Sequence, residues 1–176
     1  MKLTLFKKFK KSSPPVPSSI WRNPLHFIAF GFGAGALPVA PGTFGTLMAL
    51  PFYLLLAPLP WLVYLVCIFL ITLGSIWLCG RVEREMQIHD HPGMCIDEIV
   101  GYLITMIHVP SGAGWMALGF LLFRLFDIWK PWPIRQVDRQ VQGGLGVILD
   151  DVVAGVYAFL VLQVIVFLSY YTIHAT

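Results

Sequence analysis

None of the nine acidic residues precedes Glu83, whereas Lys2, Lys7, Lys8, Lys10, Lys11 and Arg22 all fall within the first 22 positions. A polybasic arm of this kind suits an anionic membrane leaflet. No basic surface with interleaved aromatics accompanies it, so no nucleic-acid partner is expected. Charge is scarce overall, 12% of residues against 57% apolar, which excludes both a disordered chain and an ordinary soluble domain. Repeated strands of alternating polarity are missing too, which excludes an outer-membrane barrel. Cysteine is rare: Cys67, Cys79 and Cys95 lack metal-ligand spacing, and their odd number reads as reduced thiols without a role. The Lys-rich start leads into Ser12, Ser13, Pro14 and Pro15, not an apolar core, so it reads as an arm and not as a cleavable signal.

What is present is a set of long apolar runs. Residues 44–57, 61–80, 99–123 and 147–170 form four of them. The second and fourth are uninterrupted and long enough to span a bilayer, which takes about 20 residues. The first contains Pro51 and reads as a kinked or tilted span. The third is divided between His108 and Gly114, a Pro- and Gly-rich break that separates two half-length helices entering and leaving on one side. With the arm cytoplasmic, this arrangement puts all twelve Lys and Arg, and all nine carboxylates, on one face. The expected fold is all-α: a multi-helical integral membrane protein with about three spans plus a re-entrant helical pair. Residues 1–22 form a polybasic mobile cytoplasmic arm, and residues 23–176 a single membrane-embedded domain that starts with a short helix over 23–30. Gly31, Gly33 and Ala36 match a dinucleotide fingerprint formally, but no strand precedes them, so no nucleotide site is expected.

Carboxylates beside apolar segments need a cation, hydrogen bonds or water. Two adjacent pairs, Asp97-Glu98 and Asp150-Asp151, together with Asp127, carry five formal negative charges. Helix capping accounts for such residues singly. Taken together they predict a metal cluster, and an all-oxygen donor set suits Mg²⁺ or Mn²⁺ better than Zn²⁺. Arg124 and Asp127 stand three apart on one helical face, and Pro131 and Pro133 stop that helix. Arg124, Lys130 and Arg135 are the expected phosphate clamp, with Trp129 and Trp132 at headgroup level. Gly143, Gly144 and Gly146 read as a glycine-rich loop ahead of the last helix, fit for an anion or for close packing.

Secondary candidates are Thr43 and Thr46, as hydroxyl donors or caps, and Asp90 and His91, as acid, base or water ligands in what reads more plainly as an exposed loop. No Cys is followed six positions later by Arg, Pro110-Ser111-Gly112 lacks the following His, and the aspartate pairs are adjacent, not alternating. Cysteine, histidine and Asp-x-Asp phosphatase patterns are therefore excluded. Metal-assisted hydrolysis remains, or an Asp nucleophile of unfamiliar spacing.

In order along the chain stand Gly31-Phe32-Gly33, Pro41-Gly42-Thr43-Phe44-Gly45-Thr46, Asp97-Glu98-Ile99-Val100-Gly101, Phe123-Arg124-Leu125-Phe126-Asp127, Lys130-Pro131-Trp132-Pro133, Gly143-Gly144-Leu145-Gly146 and Asp150-Asp151 with Ala154-Gly155. This series resembles the bacterial phosphatidylglycerophosphatase A family. The resemblance implies a Mg²⁺-dependent, multi-pass inner-membrane phosphatase that converts phosphatidylglycerophosphate to phosphatidylglycerol at the cytoplasmic face, among membrane lipids. The competing class is a small divalent-ion or proton carrier using the same carboxylates.

Overall fold

A computed structural model describes residues 15–88 and 91–174, and these contain helices and connecting turns but no strand. Most of the basic arm, His89 and Asp90 lie outside the described residues.

Asn23 opens the first helix, α1 (Pro24–Ala29), by accepting a hydrogen bond from the Leu25 amide, and Pro24 occupies the position where a missing N–H costs nothing. Two tight turns over Gly31–Ala36 follow, with Phe32 and Gly33 at φ 57° and 92°. Helix α2 (Pro41–Leu56) then runs out, and α3 (Trp61–Met86) returns.

The divided third stretch becomes α4 (Ile96–Thr105) and α5 (Ala113–Trp129), separated where His108 and Gly112 take φ of 55° and 144°. These two helices run antiparallel. Arg124, late in α5, stands 3.8 Å from Glu98 at the start of α4, while the Tyr102 hydroxyl, late in α4, donates to the Met116 carbonyl early in α5. The pair enters and leaves at one end of the bundle, as the sequence predicts. Helix α6 (Ile134–Gln140), which the hydropathy pattern does not announce, leads into α7 (Gly143–His174).

Among the described residues, only α3 and α7 are both long and apolar enough to cross a bilayer. Helix α2 has 16 residues, and at 1.5 Å per residue it reaches about 24 Å, short of a full untilted span. Helices α3 and α7 turn Leu62, Phe69, Leu70, Phe167 and Leu168 outward, the inverse of a soluble surface and the expected face toward lipid tails.

The interior is built around α4, which is nearly all buried and packs against α2, α3, α5 and α7. It lies parallel to α7, since Gln163 donates to the Ile107 carbonyl and Thr105 to the Gly155 carbonyl. Two glycines make that approach possible. A Cβ on Gly155 would stand 2.5 Å from the Gly101 carbonyl oxygen, and one on Gly101 would stand 2.8 Å from the Asp151 carbonyl oxygen. Backbone-to-backbone packing of this kind is what small residues allow in membrane helices. Gly143, Gly144 and Gly146 prove to be the first turn of α7 itself, not a loop ahead of it. A side chain on Gly144 would enter the backbone of α3 at Ile76 and Gly80, so this glycine serves close packing and not anion binding.

Candidate active site

Three helices deliver carboxylates to one point. Asp97 and Glu98 lie in the first turn of α4, where the helix dipole favours negative charge, Asp127 lies near the end of α5, and Asp151 lies in the third turn of α7. Oxygens of Asp97, Glu98 and Asp151 come within 4.8 Å of one another. Asp127 lies beside the Asp151 carboxyl, and Arg124 closes the group by pairing with Asp127 and approaching Glu98. The Gly101 and Gly155 contact sets this geometry, because it holds the start of α4 against the acidic turn of α7.

Asp97 is not a helix cap, contrary to one sequence expectation. The helix starts at Ile96, and Asp97 accepts from the Glu98 amide within the first turn. Asp150 and Asp151 likewise stand eight and nine residues inside α7 when Gly143 is counted as its first, too far in to cap it. Capping is therefore removed as the account of both pairs.

Among the described residues, Arg124 is the one cation beside the carboxylates of Asp97, Glu98, Asp127 and Asp151. Burial, reinforced by the charges of Asp151 and Asp127, outweighs the Asp97 hydrogen bond and pushes the Glu98 carboxyl up to about 8. Glu98 Oε2 and Asp151 Oδ2 are buried with no hydrogen-bond partner among the described residues. Orphaned buried oxygens in an all-oxygen set are what a hard divalent cation satisfies, so the residues fit such an ion. Arg124 Nε is a third buried atom of the site with no hydrogen-bond partner among the described residues, a donor beside two carboxylates and available to an anionic group.

Sequence reasoning missed Gly42. It begins α2 beside the cluster, and a Cβ there would collide with Glu98 Oε1 and crowd the Arg124 guanidinium at 3.1 Å. The signal available was Pro41-Gly42-Thr43 directly before an apolar run, which marks a helix start but not what faces it. Thr43 is half-buried in that same turn, whereas Thr46 is buried and spends its hydroxyl on the Gly42 carbonyl at 2.8 Å. Neither caps α2, whose cap residue is Ala40.

The three expected phosphate-clamp bases take different places. Arg124 alone touches the cluster. Lys130 donates to Asp150 at 2.7 Å and to Asp138 at 2.9 Å, and although burial pulls its pKa down, these two carboxylates hold it above the ordinary lysine range. Asp150 is thereby held by Lys130, next to the cluster but outside the three-carboxylate group. Arg135 is exposed in a surface pocket with Trp129 and Trp132. Replacing Lys130 by Met should lower stability by about 2 kcal/mol, because a nearly buried Asp150 loses its ammonium; the change in melting temperature should exceed that of Asp138→Asn, whose carboxyl is one-third exposed.

His91 is not in an exposed loop. It is buried against the Phe30 ring, 5.1 Å between centroids, and its Nδ1 accepts from the Gly93 amide at 3.0 Å, which fixes the turn leading into α4.

Comparison with known proteins shows the family of this chain. A sequence profile described as phosphatidylglycerophosphatase A matches residues 27–166. An Escherichia coli (strain K12) phosphatidylglycerophosphatase A is 45% identical over 135 residues, covering 76% of this chain and 78% of the relative. A Haemophilus influenzae protein of the same name is 40% identical over 141 residues, covering 79% and 86%. A Bacteroides thetaiotaomicron protein with a provisional phosphatidylinositol-3-phosphatase name is 38% identical over 146 residues, covering 78% and 90%. No solved structure matches. The profile covers every carboxylate of the cluster, Arg124 and both packing glycines, and the chain belongs to the phosphatidylglycerophosphatase A family.

Proposed function

We propose that this chain hydrolyses the terminal phosphomonoester of phosphatidylglycerophosphate, releasing phosphatidylglycerol and inorganic phosphate. The observation that carries the reading is the convergence of Asp97, Glu98 and Asp151 beside Arg124, in a chain whose relatives are named for that reaction. In this reading Asp97, Glu98 and Asp151 hold Mg²⁺, with Asp127 against them. The bound ion supplies a Lewis acid for phosphate oxygens and lowers the pKa of water. Arg124 orients the phosphate through its open Nε and balances charge that develops on the equatorial oxygens. A water oxygen bonds to phosphorus as the bond from phosphorus to the glycerol oxygen breaks. One carboxylate of the group accepts the water proton and passes it to the glycerol oxygen as that oxygen leaves. Lys130 acts behind the site by fixing Asp150, and Arg135 stands on the membrane-side approach.

The site would lie at the cytoplasmic face of the inner membrane. Supporting this, the described Lys and Arg residues cluster toward the end of the bundle where the cluster sits, among them Arg81, Arg84, Arg124 and Lys130. A carrier would need carboxylates stepped along its spans, whereas the described ones gather at that end.

Phosphate release from phosphatidylglycerophosphate by purified protein in detergent tests the reading. Mg²⁺-dependent turnover abolished by chelator, with phosphatidic acid a poorer substrate, is the expected result. Folded protein that turns over neither lipid would refute it.

A further inference from the structure

Outside the acidic cluster the molecule has a second polar feature at the same end, an open pocket of about 500 Å³ formed by the turn between α5 and α6. Trp129 and Trp132 wall it, 61% and 73% exposed, and Arg135 and Arg139 line it from α6. The two arginines are four residues apart on one helical face, exposed, and in no ion pair among the described residues. Lys130 also lines the pocket but turns its ammonium to Asp138 and Asp150, so the outward charge is that of the guanidiniums. The apolar surface continues upward through the exposed Ile128 and Leu125 on α5.

We infer that this pocket binds the headgroup of an anionic glycerophospholipid, at a site separate from the acidic cluster. Two guanidiniums with no ion-pair partner among the described residues supply planar donors for a phosphate. The tryptophan walls and the apolar strip above them suit a phosphate that carries acyl chains, and a free anion in water would use neither. The occupant is therefore a membrane lipid.

The test uses the full chain in neutral detergent, with chelator present so that the acidic cluster repels anions, and reads bound lipid by native mass spectrometry. Phosphatidylglycerol and phosphatidylcholine with identical acyl chains compete. Wild type should retain phosphatidylglycerol with a preference of roughly thirtyfold, on the scale of two interfacial arginines. Arg135→Gln/Arg139→Gln should lose the preference, Arg139→Gln alone should lose part of it, and Arg135→Lys/Arg139→Lys should keep most of it, each variant confirmed as helical by circular dichroism. Soluble glycerol phosphate should not displace the lipid. Equal retention of both lipids by wild type, an undiminished preference in the folded glutamine variants, or displacement by glycerol phosphate would overturn the inference. None of these readings depends on phosphatase activity, so the outcome is independent of the proposed reaction.

Discussion

Replacing Asp151 by Asn lowers phosphate release by roughly 10²–10³-fold while leaving the protein folded, and in chelator the variant melts no lower than wild type. Both halves follow from the charge at the site. Asp151 is buried and faces Asp127, Asp97 and Asp150, and one of its oxygens has no hydrogen-bond partner among the described residues. Without a cation these groups repel, so a neutral isostere relieves repulsion and is not destabilising. With a cation the same substitution removes a ligand. Wild type should gain about 2.7 kcal/mol of stability from Mg²⁺ at a hundred times its Kd, and Asp151→Asn should gain little. A residue that merely held the fold together would give the opposite pattern, a lower melting temperature in chelator and an undiminished response to Mg²⁺. Thermal melts of both proteins, with and without the ion, separate the two.

The second large effect comes from a residue without a side chain. Gly155→Ala should reduce turnover by about a hundredfold or more, although no atom of Gly155 belongs to the chemistry. The added methyl would press on the Gly101 carbonyl at 2.5 Å, and a backbone neighbour cannot rotate away. Helices α4 and α7 must part, and Asp97 and Glu98 ride on one while Asp151 rides on the other. Misplacement by even an ångström is costly in catalysis, so the loss should appear in kcat, with Mg²⁺ affinity also weakened. The stability cost should be about 1–3 kcal/mol, which a melting curve measures. Gly74→Ala is the control: open space surrounds its position on α3, so activity and stability should both hold.

The contrast between those glycines marks where the sequence is legible. Hydropathy locates α3 and α7, and the Pro and Gly residues between His108 and Gly114 predict the break between α4 and α5, because spans and breaks are one-dimensional properties. The acidic pairs and Asp127 are readable as a group for a related reason: unpaired carboxylates beside apolar segments demand a partner wherever they fold. What composition could not supply was pairing. Lys130 and Arg124 stand beside the same acidic segments, yet one is committed to Asp150 and Asp138 and the other to Asp127 and Glu98. Gly42 faces Glu98 only after α2 and α4 have packed, and Gly144 looks like a flexible loop until α3 lies against it. Helix α6 escaped notice because its seven residues are mostly polar and anchored by the single buried Ile134.

The central claim is that Asp97, Glu98 and Asp151 hold a divalent cation. Mn²⁺ is a paramagnetic substitute for Mg²⁺, and its binding to the purified full chain can be counted by electron paramagnetic resonance. The account predicts saturable Mn²⁺ binding to wild type, competed by Mg²⁺ and lost in Asp151→Asn and Glu98→Gln. Binding that persists undiminished in both variants, or folded wild-type protein that binds no Mn²⁺, would contradict it.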